Sequence, residues 1–584
     1  MTNNKKTVGK LLNQRDNFIV IGLTGRTGSG CTTAANILSK EFSPPQVSDI
    51  NNTKDYKLSP LSKKRYEITR KFTENNWQKF YSIKISDIIT SILFETNKED
   101  LVSLISNTLE KNNSKAEEFL NKFNFNGKLK ILSRQRNLID AILSGIKTTD
   151  IEEDEIQSLF IRYQLYSREL KSSIDKFYGS GSYVKLYQKM GNLIRHHGKI
   201  ENRGEIEKNI ENIYRLPEII NRIIKLLRRT HKKKEKATLI VIDAIRNPYE
   251  AKYFKDRYAA FYLVSINTNN DDRVKYLGAT RKFTPDEVKT IDIIESAKLI
   301  DEHGETSEPN KNEKLYMQNV PACLEISDIH LYNPRVEPEN NNALRAQLTW
   351  YLSLMKHPGL ITPTSNERVM QFAFSAKVNS GCISRQVGAA VTDIHNSIRS
   401  IGWNDVAEGQ TPCNLRSLDG LMSSYDPKEY SKYEREDHKF RKIAVKQLDA
   451  LNNTKETNLS FSYCFKSFQN IKEKEKNQVH TRSLHAEENA FLQIAKSGGA
   501  GIKNGKLFTT ASPCELCAKK AYQLGIKEIV YIDPYPGIAI DHIINIGETP
   551  PVTTQFVGAV GSAYHRLYEP LMPFKDQLEL LKSD

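Results

Sequence analysis

The sequence contains no apolar run approaching the roughly 18 residues needed to cross a membrane, and its opening, MTNNKKTVGK, lacks the apolar core of a secretory signal. A cytoplasmic protein with no membrane segment is therefore expected. Cysteine is scarce, seven in 584 residues. An odd number gives no disulfide framework and suits a reducing compartment in which thiols pack, bind metal or react. With 21 prolines, 29 glycines, 39% hydrophobic and 27% charged residues, the chain is neither collagenous nor wholly disordered. No internal repeat is visible. What is present is length enough for two to four domains of ordinary size, and apolar material for two cores.

Charge is unevenly spread. The whole chain carries +15, yet from Tyr351 onward 28 Lys and Arg oppose 25 Asp and Glu, so the first 350 residues hold +12. A basic excess suits polyanionic partners, and here it applies to the front half only. The run Arg228-Arg-Thr-His-Lys-Lys-Lys-Glu-Lys236 is read as a solvated helix end or loop rather than a specific RNA or phosphate site.

Phe18–Leu23 is a short apolar run followed at once by a glycine-rich turn and then by TTAANILSK, which has helix-forming composition. Thr238–Asp243 and Phe261–Ile266 are further strand-like runs. Apolar strands separated by charged, periodic stretches (about Asn97–Tyr178 and Glu205–Lys225) predict a parallel α/β sheet with helical insertions. Arg335–Asn342 is polar, contains proline and lacks periodicity, so the domain boundary is expected at 338/339. Beyond it, Glu367–Lys377 reads as a helix, and Val387–Thr392 and Ser397–Gly402 as strands joined by a turn at His395-Asn396. Residues of about 415–479 read as an insertion rich in Tyr, Lys and Glu.

The strongest chemical signal is His485-Ala486-Glu487 followed by Pro513-Cys514-Glu515-Leu516-Cys517. One imidazole and two thiolates supply three zinc ligands and leave a fourth position open to water. Pro513 suits a helix start, and a helix former follows His485. Two helix N-termini would then converge on the metal and favour thiolates there. Glu487, two residues from His485, can stand beside the water as general base and acid without ligating the metal. A closed structural zinc would need a fourth protein ligand and would leave Glu487 without a role. This is the signature of zinc-dependent nucleobase deaminases.

From about Glu367 onward the chain resembles the cytidine and deoxycytidylate deaminase family. Ser384-Arg385-Gln386-Val387-Gly388-Ala389 and Gly402-Trp403-Asn404-Asp405 are similar to that family's first two strands. The resemblance implies that Asn404 hydrogen-bonds the sugar, and that backbone near Ala486 and Ser512 reads the cytosine edge. Arg385 is a candidate phosphate contact, with a surface arginine as the bland alternative. Some relatives hold a second, structural zinc in the insertion. Cys413, Cys464, His438 and His480 match no compact finger spacing and are read as packed side chains.

At the front, Gly25, Gly28 and Gly30 let backbone N–H groups curl round an anion, and Thr32, followed by Thr33, is placed to contact magnesium. Asp243, at a strand end, is the candidate second magnesium-contacting carboxylate; its bland role is to cap the turn. The position of the expected lysine is Cys31, which removes the ammonium that holds β- and γ-phosphates. Tyr187-Gln188-Lys189-Met190-Gly191, Val241–Pro248 and Gln318-Asn319-Val320 with Ser327-Asp328 resemble segments of P-loop kinases of the deoxynucleoside monophosphate kinase type. Binding of a nucleoside triphosphate with Mg2+, in a sensing role rather than phosphoryl transfer, is the expectation for this region.

The expected fold is thus α/β throughout: an N-terminal P-loop parallel-sheet domain (1–338) with helical insertions, and a C-terminal cytidine-deaminase-like α/β/α domain (339–584). The two motif sets in this order resemble a group of bacterial anti-phage deaminases. That resemblance implies zinc-dependent conversion of dCTP and dCMP to dUTP and dUMP, a homo-oligomer, and a regulator that in some relatives is a small RNA. A housekeeping dCMP deaminase with a nucleotide-sensing front domain is the alternative. A single-stranded nucleic-acid editing deaminase would need a basic groove beside the zinc, and bulk charge in the rear half does not supply it. A non-enzymatic binding scaffold leaves Glu487 unexplained.

Overall fold

The computed structural model describes residues 15–51, 56–146, 151–200, 210–300, 306–335, 341–423, 426–452, 459–475, 477–499, 501–534 and 538–582. The chain forms two compact units, Met1–Thr362 with Ser562–Asp584, and Pro363–Gly561. Among the described residues no helix is long and apolar enough to cross a membrane.

The first unit contains strands β1 (Phe18–Thr24), β2 (Tyr81–Lys84), β3 (Thr238–Asp243), β4 (Phe261–Asn267) and β5 (Ile329–Tyr332). They run parallel in the order β2-β3-β1-β4-β5, with Phe18 opposite Thr238, Val20 opposite Phe261 and Val264 opposite Ile329. Every residue of β3 and β4 is buried, as expected of parallel strands covered on both faces. β1 lies between β3 and β4, and from its carboxyl end the glycine turn leads into α1 (Cys31–Leu38). The described residues between β2 and β3 are mostly helical, including Glu153–Tyr178, Ser182–His197 and Arg215–Lys233, and pack apolar faces into one large core. The basic run at 228–236 closes the last of these helices.

The boundary expected at 338/339 falls outside the described residues. The compact units instead divide after Thr362, because helix α2 (Asn342–Lys356) is built into the first unit. Its Ser353 hydroxyl lies 2.8 Å from Thr73 Oγ1, and its Lys356 ammonium donates to Asn76 O. The chain rejoins that unit at Ser562.

The second unit opens with α3 (Ser365–Ala376), whose start is fixed by a capping box in which Thr364 and Glu367 bond each other's backbone amides. Its strands are β6 (Gly388–Thr392), β7 (Ile398–Trp403), β8 (Lys506–Ala511), β9 (Glu528–Asp533) and β10 (Val552–Gln555), in the order β10-β9-β8-β6-β7. β6 is antiparallel to both its neighbours, whereas β8, β9 and β10 run parallel. Alternation along the strands sends side chains to two cores. Ala390, Phe508 and Val530 meet Val369, Met370 and Ala373 of α3. Ala389, Val391, Leu507 and Ile529 pack instead with Ala486 and Ala490 of α4 (Ala486–Ser497) and with Ala518 and Ala521 of α5 (Glu515–Gln523). The unit is therefore a mixed sheet between helical layers.

Among the described residues, four helices between Leu418 and Glu473 form a subdomain with its own core of Leu418, Leu421, Tyr430, Phe440, Tyr463 and Phe468. At its centre Arg416 pairs with Glu434 at 2.6 Å, the two side chains 0% and 2% exposed. Tyr463 donates to the same carboxylate at 2.8 Å. Burial works against the Glu434 charge, but the Arg416 guanidinium and the hydrogen bonds from Ser431 and Tyr463 outweigh it and hold the carboxyl below its usual range. A carboxyl depressed in this way stabilises the fold near neutral pH, and that contribution is lost as pH falls through its lowered value. Glu434→Gln should strand a buried guanidinium at a cost of about 3–5 kcal/mol. Hydrogen exchange of the 418–473 amides should then accelerate by about 100-fold or more at neutral pH and lose its acid dependence. Unchanged protection would show that the ion pair does not hold the subdomain.

Candidate active site

Two helix starts build the site. His485 is the N-cap residue of α4 and Cys514 the N-cap residue of α5, and Cys517 lies in the first turn of α5. Pro513 therefore stands one residue before the cap rather than inside the helix. Glu488 returns to the backbone N–H of His485 and also pairs with Lys520 of α5, tying the two helix starts together. α4 can lie flat on β7 because position 402 has no side chain. A Cβ there would stand 2.3 Å from Ala486 O and 2.5 Å from Ala490 N. Asn489 Nδ2 donates to Trp403 O at 2.9 Å, adding a clamp between the same helix and strand.

The result is a cluster of one imidazole and two thiols. His485 Nδ1 lies 3.2 Å from Cys514 Sγ and 3.4 Å from Cys517 Sγ, and all three donor atoms fall within 4.8 Å of one another. Ligands of a tetrahedral zinc are separated by about 3.5 Å, so the donor set and its spacing fit that metal. Among the described residues it is the one group of three or more His, Cys, Asp or Glu so gathered. Cys413, Cys464, His438 and His480 form no such group. The Cys514 thiol is held well below its usual range, first by a hydrogen bond from Cys517 and then by His485.

Glu487, 4% exposed, follows within the first turn of α4. Burial raises its carboxyl above the ordinary range, and Thr509 of β8 donates to its Oε1 at 3.2 Å. Glu487, His485 and Cys514 line a cavity of about 410 Å³ together with Asn404, Arg385 and Ser512. Asn404 is already engaged with backbone: its Oδ1 accepts from Val387 N at 2.6 Å and its Nδ2 donates to Arg385 O at 2.7 Å, pinning the turn into β6. Arg385 pairs with Asp533 at 2.5 Å. Sequence reasoning missed Thr509 and Asp533, which touch Glu487 and Arg385, and Lys466, Gln478 and Thr481, which line the same cavity. Lys466 and Asp533 lie well outside the motif, whereas Gln478, Thr481 and Thr509 stand close to it in sequence but on no motif position, so none carries a local signal.

In the first unit the structure brings the other group of predicted residues together around the turn after β1. Gly25, Gly28 and Gly30 have φ of 156, 91 and 125°. At Gly30 a Cβ would stand 2.4 Å from Asn333 Nδ2. Thr32 hydrogen-bonds Asp243, whose buried Oδ1 has no hydrogen-bond partner, and Thr33 Oγ1 accepts from Arg335. Cys31 is buried beside Asp243, and desolvation pushes its thiol up to about 12, so it is neutral. An internal carboxylate already sits on the turn: Glu295 accepts from Thr27 N at 3.1 Å and from Thr27 Oγ1, and is paired with Arg246.

Residues 363–533 match the family model described as the cytidine and deoxycytidylate deaminase zinc-binding region. The deoxycytidylate deaminase of Enterobacteria phage T2 is 30% identical over 168 residues, covering 29% of this chain and 79% of the relative. That of Enterobacteria phage T4 is 30% identical over 168 residues, covering 29% and 77%. Among solved structures, the dCMP deaminase from the cyanophage S-TIM5 in complex with dCMP and dUMP aligns at 23% identity, covering 34% of this chain and 99% of that one, with a TM-score of 0.21.

The close approach at Gly402 is testable. Gly402→Ala forces α4 off β7, and overpacking of this kind costs about 1–3 kcal/mol. Because His485 opens α4, the variant should also release zinc to a chelator faster than wild type, read by a colorimetric metal indicator. Wild-type stability and release rate would show that the contact does not set the site.

Proposed function

We propose that this chain, which belongs to the cytidine and deoxycytidylate deaminase family, hydrolytically removes the 4-amino group of deoxycytidine nucleotides, dCTP and dCMP, giving dUTP and dUMP. The observation that carries this is a buried carboxylate, Glu487, two residues from one member of a His-Cys-Cys cluster and lining the same cavity. His485, Cys514 and Cys517 would hold the zinc that the family model's description names. When bound, zinc supplies a water acid enough to lose its proton near neutral pH. Glu487 would accept that proton and deliver it to N3 of the cytosine ring as the water oxygen bonds to C4. It would then take the second proton from the new C4 hydroxyl and pass it to the amine, so that the C4–N bond breaks, ammonia leaves and the C4 carbonyl forms. A carboxyl raised by burial suits both halves of the shuttle. Asn404 has a lone pair and one N–H left after its backbone bonds, enough for a sugar hydroxyl.

The biological role we propose is depletion of the deoxycytidine nucleotide pool in anti-phage defence, in the cytoplasm, by a homo-oligomer under the control of a small RNA. Support comes from the order of the two motif sets and from the +12 charge of the first 350 residues. A housekeeping dCMP deaminase is the second reading, favoured by the name deoxycytidylate deaminase that the phage relatives bear. We further propose that the front unit is a P-loop kinase-like sensor, with Thr32 and the half-satisfied Asp243 receiving Mg2+ of a bound nucleoside triphosphate. The parallel sheet reverses its order of growth at β1, which is where α/β sheets bind ligands.

Glu487→Ala should lower turnover of dCMP and dCTP by several orders of magnitude while about one zinc per chain remains, measured by elemental analysis. Cys514→Ser should lose metal and activity together. Mass spectrometry of nucleotide pools after induction should show dCTP and dCMP falling and deoxyuridine species rising with wild type only. Full turnover by Glu487→Ala would sink the assignment. In the front unit a phosphate must displace Glu295 from Thr27, so Glu295→Gln should tighten nucleoside triphosphate binding about 3- to 10-fold in calorimetry. Equal affinities would argue against a nucleotide in that turn.

A further inference from the structure

The cavity that holds Glu487 is lined by two long cationic side chains, Arg385 and Lys466, and their situations differ. Arg385 is matched by the Asp533 carboxylate at 2.5 Å. Among the described residues Lys466 hydrogen-bonds only the neutral amide oxygen of Gln478, at 2.8 Å, and no carboxylate lies within ion-pair distance of it. Gln478 lines the same cavity, so the bond keeps the ammonium at the cavity wall. Lys466 belongs to helix Phe465–Glu473 of the insertion, so the subdomain contributes directly to the site.

Two carboxylates also line the cavity, Glu487, which is buried, and Glu515, which accepts from Ile538 N at 3.1 Å, and since neither lies within ion-pair distance of Lys466 its stretch of the wall stays positive. A nucleotide has complementary ends, a neutral base and an anionic phosphate. With the base directed to Glu487 and the His-Cys-Cys cluster, the phosphate is the group that satisfies an unpaired cation. We infer that Lys466, oriented by Gln478, binds the substrate's phosphate and makes the site select deoxycytidine nucleotides over deoxycytidine itself. This rests on the deaminase function proposed above and adds the residue that sets substrate class. Arg385 then acts mainly on Asp533.

Steady-state kinetics of the full-length, zinc-loaded protein on dCMP and on deoxycytidine test this for wild type, Lys466→Gln and Lys466→Arg. A charge-assisted hydrogen bond is worth about 10- to 100-fold, so Lys466→Gln should lower kcat/KM for dCMP by about that factor, chiefly through KM. Deoxycytidine turnover should change less than about 3-fold, and Lys466→Arg should recover most of the dCMP activity. A purely structural effect would depress both substrates equally, and that outcome, or no effect on either, overturns the inference while leaving the deaminase function standing. A wild-type protein inactive on every deoxycytidine compound overturns the function itself and the inference with it.

Discussion

The second unit depends on one backbone-to-backbone contact, α4 lying against β7 at Gly402. Without a side chain at that position, the helix carbonyl at Ala486 and amide at Ala490 come within van der Waals reach of the strand. The next requirement follows from the first. A helix that close to the sheet starts its first turn beside the end of β8, so Glu487 meets Thr509 and His485 meets the start of α5. Small residues repeat the pattern on the other helix, where Ala518 and Ala521 face Leu507 and Ile529. The His-Cys-Cys cluster is thus a consequence of tight layer packing. Its donor atoms come from helix N-termini, whose unpaired N–H groups favour thiolate over thiol.

How much of this is legible in the sequence depends on range. His485, Glu487, Cys514 and Cys517 are legible because each ligand group sits within one helical turn, where local spacing alone determines geometry. The strands around them are legible where apolar runs are bounded by turn residues, as at Val387–Thr392. Tyr81–Lys84 and Ile329–Tyr332 are not, because four residues with ordinary composition give no periodicity to read. Helix Asn342–Lys356 directly follows the polar stretch read as a linker, and its burial by Pro60–Asn76 is invisible to any local signal. The same holds for Asp533 and Lys466. The first reaches Arg385 across 148 positions, and the second joins the cavity only because the subdomain folds back on it.

The glycine turn of the first unit follows the opposite logic. Its three glycines take positive φ, and where the resemblance expects a lysine there stands a neutral, buried thiol. What sits on the turn is a carboxylate from the protein itself, Glu295, with Arg246 as its counter-ion. The arrangement is electrically closed. It also implies that an incoming phosphate that displaced Glu295 would find a guanidinium in place, so Arg246 can supply the charge that Cys31 does not.

The insertion shows how stability and specificity become coupled. Its core is small, and the buried Arg416–Glu434 pair at its centre, 0% and 2% exposed, sets the attraction of two charges against the cost of desolvating both. Such a pair tolerates no half-measure: with both partners the four helices have one packing, and with one partner the packing is penalised. Helix Phe465–Glu473 takes its position from that packing, through Phe468 against Phe440 and Tyr463. Lys466 is two residues from Phe468, so the register that seats the aromatic ring in the core also sets where the ammonium stands. Under the proposed function, a cavity whose Glu487 end is carried by helices on the sheet and whose Lys466 end is carried by the insertion would change its phosphate recognition without disturbing the His-Cys-Cys cluster.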